Sequence, residues 1–224
     1  MAHWLDTACA QFDLAVLSAI HAFAEATNGF FTTPMHVISF FAHDGIGMIL
    51  LGLLLLCFRK TRRTGLCVCG AILIGALITN VTLKNLVARA RPYADPAGIY
   101  FQWWQSVGAP IESDLSFPSG HTTATMAAMS AIFLTAKKKY SWTVFVFVAL
   151  MGFSRMYLVV HYPTDVLAGL LAGAIGATLS YLAVRTLWQW MERHCERHFC
   201  RFVTTFDPID AWRARRTAKK TDTE

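Results

Sequence analysis

Apolar runs of roughly 20 residues recur along this chain of 224 residues, and that is the length a helix needs to cross the hydrocarbon core of a bilayer. Hydrocarbon offers no partner for a backbone N–H or C=O, so such runs must satisfy their own hydrogen bonds as helices. The spacing predicts six of them, at about 11–27, 34–58, 65–90, 118–136, 141–161 and 163–188. The first is short for a span and carries Asp13, His21 and Glu25, which suits a helix lying in the interface as well as a crossing one. The expected fold is therefore all-α, a polytopic membrane protein built as a six-helix bundle. A membrane-embedded unit over residues 1–188 is followed by a basic amphipathic tail over 189–224. The N-terminus lacks the basic stretch and cleavage site of a signal peptide, so the chain is expected to be unprocessed.

A net charge of +6 would also suit a nucleic-acid binder, but the positions of the cations argue for a bilayer and against nucleic acid. Sixteen of the 20 Lys and Arg residues fall in three groups: 59–63, 137–139, and 185–220. With six spans and a cytoplasmic N-terminus, all three groups and the C-terminus lie on the cytoplasmic side. The other four, Lys84, Arg89, Arg91 and Arg155, fall toward the opposite face. The six cysteines do not form a disulfide framework: Cys57, Cys67 and Cys69 read as small core residues, and Cys195 and Cys200 fall in the reducing cytoplasm. Cys9 carries no signal.

Charged groups at membrane depth are costly, so each needs a partner or a function. Three clusters stand out. Lys84 and Arg91, seven residues apart, fall on nearly the same face if helix 65–90 is continuous, and Pro92 closes it. Arg89 points away and is expected to snorkel to the headgroups. Pro118-Ser119-Gly120-His121 reads as a helix start with Pro118 at the first helical position, where free N–H groups of Ser119 and Gly120 meet anions. Arg155, His161 and Asp165 surround the junction of the fifth and sixth helices, and four residues bring His161 within reach of an orienting carboxylate. Taken singly, these are also what end-of-span cations, a capping histidine and a satisfied His–Asp pair look like. Together they supply cations and N–H groups for phosphate oxygens, a nucleophile and an acid.

The stretches Lys84-Asn-Leu-Val-Ala-Arg-Ala-Arg91-Pro92, Pro118-Ser-Gly-His121 and Ser154-Arg155-Met-Tyr-Leu-Val-Val-His161-Tyr-Pro-Thr-Asp165 resemble the three-part signature of the type 2 phosphatidic acid phosphatase superfamily. No signature position is substituted between 84 and 165. The resemblance implies a core shared with soluble vanadium haloperoxidases, from which the apolar spans separate this chain. It implies a lipid phosphatase without metal or cofactor, with His161 as a nucleophile forming a phosphohistidine, Asp165 as its orienter and His121 as the acid. Lys84, Arg91, Ser119, Gly120 and Arg155 would hold phosphate. A neutral His161 beside a protonated His121 implies a bell-shaped pH profile. The implied partner is a membrane lipid phosphate, with undecaprenyl diphosphate first. Phosphatidylglycerophosphate, phosphatidate or lipid A follow, and a non-catalytic lipid-phosphate binder or carrier is the reading of a different class. The implied location is a bacterial cytoplasmic membrane, with the site facing outward.

Other features are expected to be structural. His36, His43 and Asp44 suit packing, a kink or an interfacial contact. Gly169 and Gly173 suit close helix packing. Asp95, Glu112 and Asp114 sit on the long loop 93–117 without ligand-like spacing for a metal. The aromatics of that loop, Tyr93, Tyr100, Phe101, Trp103 and Trp104, read as an interfacial belt, with a lid or entrance for a lipid tail as the alternative. His194, Cys195, His198 and Cys200 fit no standard zinc pattern, and their surroundings read as a juxtamembrane anchor.

Overall fold

The computed structural model describes residues 1–194, apart from the side chains of Asp44 and Tyr140. Cys195, His198, Cys200 and the rest of the basic tail lie outside the described residues. Among those described there are helices and loops and no strand. Two helical stretches are long and apolar enough to cross a membrane, Arg62–Ala94 and Pro163–Arg193. The helices α1 (Ala2–Ala8) and α2 (Ala10–Ala26) make a third such stretch if taken as one span bent by 67°.

The bundle is organised around α8 (Gly120–Thr135), which α5 (Arg62–Ala76), α10 (Val144–Tyr157), α11 (Pro163–Arg193) and the shorter α4 (Ile46–Cys57) surround. A helix enclosed on all sides has no polar face to offer, and α8 is built accordingly from Ala, Thr, Ser and Met. Ala127, Ala128 and Ala131 are fully buried against Cys67, Val68 and Ala71 of α5 and Ala177 of α11. Small residues let the backbones meet: a Cβ on Gly173 would lie 2.6 Å from the Thr123 carbonyl oxygen, and one on Gly169 would lie 2.7 Å from that of Ser119. The outer surface has the reverse of a water-soluble pattern. Leu50, Leu53, Leu73, Leu77, Leu171, Leu179 and Leu182 are exposed, a belt that belongs in hydrocarbon.

Three predicted helices are interrupted, each where the site is built. The stretch 34–58 divides into α3 (Thr32–Phe40) and α4, separated by a 3₁₀ turn at His43–Gly45 with Gly45 at φ +73°. The kink expected around His43 is therefore present. The stretch 65–90 leaves α5 through a π-helical turn, Leu77–Leu83, and ends after the short α6 (Lys84–Val87), because Ala88 takes φ +53°. The stretch 141–161 is the one-turn α9 (Lys138–Ser141) followed by α10, which stops at Tyr157. Val159 then takes φ +54°, a strained conformation for a β-branched residue.

Four of the loop aromatics, Tyr93, Tyr100, Trp103 and Trp104, join a second core. A short helix, α7 (Ile99–Ser106), holds Trp103 buried and stacked on His21 of α2 at 4.6 Å, while Tyr93 stacks on Trp104 at 4.5 Å. Leu17, Tyr157 and Val160 complete this cluster, so loop and N-terminal helix are packed onto the segment that carries His161.

Candidate active site

Each break in a helix re-aims a side chain. Ala88 turns the chain out of the helix, so Lys84 and Arg91 do not share a face through seven residues of regular helix. They converge because residues 88–91 leave the helical path. Val159 turns the chain after α10 so that the Val160 carbonyl and the His161 ring both meet Arg91. The result is one cavity of about 190 Å³ lined by Lys84, Arg91, Gly120, His121 and His161, with Thr79 and Asn80 of the π turn and with Glu112 and Asp114.

The geometry at His161 specifies its tautomer. A guanidinium has no acceptor, so Arg91 Nη1, 3.1 Å from His161 Nε2, donates to it, and Nε2 must carry the lone pair. Nδ1 then carries the proton and faces Asp165 Oδ2 at 3.6 Å, just beyond hydrogen-bond distance, and has no other partner. Burial together with Arg91, Arg155 and Lys84 pushes the His161 imidazole well below its ordinary value, so it is neutral at physiological pH. The His121 Nε2 atom is buried without a partner and its ring borders the same cavity.

Asp165 is held from several directions. It sits in the first turn of α11, where its Oδ2 accepts from the Tyr162 N–H at 2.9 Å and from Ser116 Oγ at 2.5 Å. Its Oδ1 accepts from Arg89 Nη1 at 2.8 Å. Arg89 therefore does not snorkel. It is 1% exposed and also donates to Asp6 and Asp13, each at 2.8 Å, with the Tyr162 ring 3.8 Å away. An unpaired buried guanidinium costs roughly 3–5 kcal/mol, and these inward carboxylates outcompete the headgroup region.

Ser119 differs from the expected helix start. It is the N-cap of α8, with Pro118 preceding the helix, and its hydroxyl accepts from Thr122 Oγ1 at 3.0 Å. Its own N–H donates to the Asp165 carbonyl at 3.1 Å and is not free for an anion, whereas Gly120, as the first helical residue, lines the cavity. Arg155 is 2% exposed and lies behind the wall, donating to Ser39 Oγ and Glu112 Oε1.

Glu112 and Asp114 have partners that the spacing did not reveal. Asp114 joins Lys84 and Arg91 through its two carboxylate oxygens, and its carbonyl accepts from Arg91 Nε at 3.0 Å. Burial raises the Asp114 carboxyl, but Lys84 and Arg91 outweigh it and hold the group below the usual range. Asp95, by contrast, caps its own turn at the Ala97 N–H. Asp13 was legible as an acid in an apolar helix, a signal for a buried partner; Ser116 offered no signal.

The PAP2 superfamily profile matches residues 64–189. The undecaprenyl-diphosphatase of Sulfolobus acidocaldarius is 32% identical over 133 residues, 59% of each chain, so this chain spans well under two thirds of that relative's length. The decaprenylphosphoryl-5-phosphoribose phosphatase of Mycobacterium tuberculosis is 35% identical over 167 residues, 75% of this chain and 86% of that one. The crystal structure of Aquifex aeolicus LpxE superimposes with a TM-score of 0.53 at 24% identity, over 75% of this chain and 93% of that chain, a likeness of fold. Because the profile takes in more than half of the residues and contains all three of the clusters around the cavity, the chain belongs to the PAP2 superfamily.

Proposed function

We propose that this chain is a membrane lipid phosphatase that hydrolyses a lipid phosphate or diphosphate through a phosphohistidine. The observation that carries the reading is the His161 imidazole, neutral, with its Nε2 lone pair on the cavity side and its Nδ1 proton toward Asp165. Nε2 attacks phosphorus as the bond to the lipid oxygen breaks, and His121, protonated beside the bound anion, gives that oxygen its proton. His121 then takes a proton from water, whose oxygen attacks phosphorus, and the P–N bond breaks to return His161. Lys84, Arg91 and the N-terminus of α8 at Gly120 hold the equatorial oxygens. Ser119 and Arg155 support them from behind.

Arg91 must let go of Nε2 before attack, and a phosphate oxygen on Arg91 is the natural exchange. Three cations face two carboxylates here, leaving one net positive charge. An incoming phosphate therefore displaces Asp114 from Lys84 and Arg91. No step of this chemistry needs a metal, so activity is expected to survive EDTA.

Undecaprenyl diphosphate is the first substrate, because two relatives are named for polyprenyl lipids. Phosphatidylglycerophosphate, phosphatidate and lipid A follow. The membrane unit spans 1–188 in a six-helix bundle, with both termini cytoplasmic and the cavity on the outer face of a bacterial cytoplasmic membrane. The test is phosphate release from these purified lipids in detergent, with His161→Ala as control. Release by the parent and none by the variant supports the reading. Equal release by both removes the nucleophile, and release by neither favours a lipid-phosphate binder.

A further inference from the structure

We propose that Arg89 and Asp13 are positioning residues for the reaction, so that the N-terminal helices, which precede the matched family region, are part of the machinery that aims His161. The inference rests on the reading of His161 and Asp165 as nucleophile and orienter.

Arg89 has five N–H donors in a rigid fork, and it spends them on three elements. Nε goes to Asp6 of α1, Nη2 to Asp13 of α2, and Nη1 to both Asp165 and Thr164 of α11, all at 2.8 Å. Asp13 returns to the same place. Its Oδ1 accepts from the Thr164 N–H at 3.0 Å and its Oδ2 from Thr164 Oγ1 at 2.9 Å. Asp13 and Arg89 thus hold two successive residues of the first turn of α11, Thr164 and Asp165, and Asp13 and Asp165 are 1% and 0% exposed. The profile that defines the family begins at residue 64, so neither Asp6 nor Asp13 belongs to it.

Two consequences follow for His161. The Asp165 carboxylate has little freedom to rotate away from Nδ1, because Arg89, Ser116 and the Tyr162 N–H already hold its oxygens. The one positive charge of Arg89 also faces two buried carboxylates, with half-exposed Asp6 as a third, so a net negative charge lies behind the imidazole. When Nε2 bonds to phosphorus, the ring becomes cationic, and that charge is matched by the excess.

A network that only docked helices would lower stability and leave kinetics alone. The test compares Arg89→Lys, Asp13→Asn and Asp6→Asn in the full chain in detergent. It reads kcat and KM on whichever purified lipid phosphate the parent hydrolyses, the melting temperature, and the ¹⁵N signals of His161 assigned with His161→Gln. Lysine keeps the charge but cannot fork to three carboxylates. The expected result is a 10–100-fold loss of kcat in Arg89→Lys and Asp13→Asn, with KM within about threefold, and a shifted Nδ1 signal. Asp6→Asn, which alters a carboxylate that is itself half exposed, should lose less than threefold. Melting alone changing, with kcat and the ¹⁵N signals as in the parent, overturns the proposal, as does an Asp6 effect equal to that of Asp13. If the parent hydrolyses none of the lipids, the phosphatase reading fails. The ¹⁵N signals then decide the positioning role by themselves.

Discussion

Asp114→Asn removes one charge from the cavity while keeping the side chain's shape, and it isolates the competition between the protein's own carboxylate and a phosphate. In the wild type the two carboxylate oxygens engage Lys84 and Arg91, and the side chain is 48% exposed. Half-exposed pairs of this kind are worth roughly 0.2–1 kcal/mol each, so freeing two cations favours an incoming anion by about 0.4–2 kcal/mol. At 1.4 kcal/mol per tenfold, that is roughly a 2–30-fold fall in the inhibition constant of inorganic phosphate or orthovanadate, with KM falling alongside. Because Lys84 and Arg91 hold the carboxyl below its ordinary range, the wild-type plug stays ionised from about pH 5 upward, and mild acid does not relieve it. The gain in the variant should therefore be nearly constant between pH 5 and 8. Competition assays on purified protein at several pH values measure it. An inhibition constant that rises in Asp114→Asn would mean that Asp114 holds the cations in place for phosphate and does not compete with it.

Three further outcomes are expected. Ala88→Gly, at an exposed position with φ +53°, should stabilise the chain by about 0.5–1 kcal/mol in thermal unfolding in detergent, since glycine takes that conformation without a Cβ clash. Gly173→Ala should destabilise it by roughly 1–3 kcal/mol in the same assay, because the new methyl meets the Thr123 carbonyl at 2.6 Å and the Met126 Cβ at 2.8 Å. Stability should fall as pH drops below about 6.5, where His161 takes up a proton in the unfolded chain but stays neutral when folded, at up to about 1.4 kcal/mol per pH unit. That contribution is fully present above the unfolded value. It should be absent from His161→Gln, which denaturation at stepped pH checks.

How far the residues alone reached depends on the range over which each signal acts. Runs of apolar side chains marked the helices, and Gly169 with Gly173 marked the close contact of α11 with α8, because both are properties of neighbouring residues on one helix. The breaks inside helices were not legible. Ala88 is a strong helix former, and Val159 is ordinary by propensity, yet both adopt left-handed backbone because surrounding contacts demand it. Ser119 carried the right residue type for an N-cap, but its N–H is claimed by Asp165, 46 residues away in the chain.

Residue order alone is enough for a helical, bilayer-compatible chain, the phosphatase-like signature, and the proximity of His161 to Asp165 across four residues. Which charges face which depends on how the helices pack. Asp13 and Asp165 meet at Arg89, and Asp114 meets Lys84 and Arg91, across 23 to 76 residues of chain. The physical reason is that a helix pattern depends on near neighbours, whereas a charge in a low-dielectric interior is committed to whatever opposite charge the packed helices bring beside it.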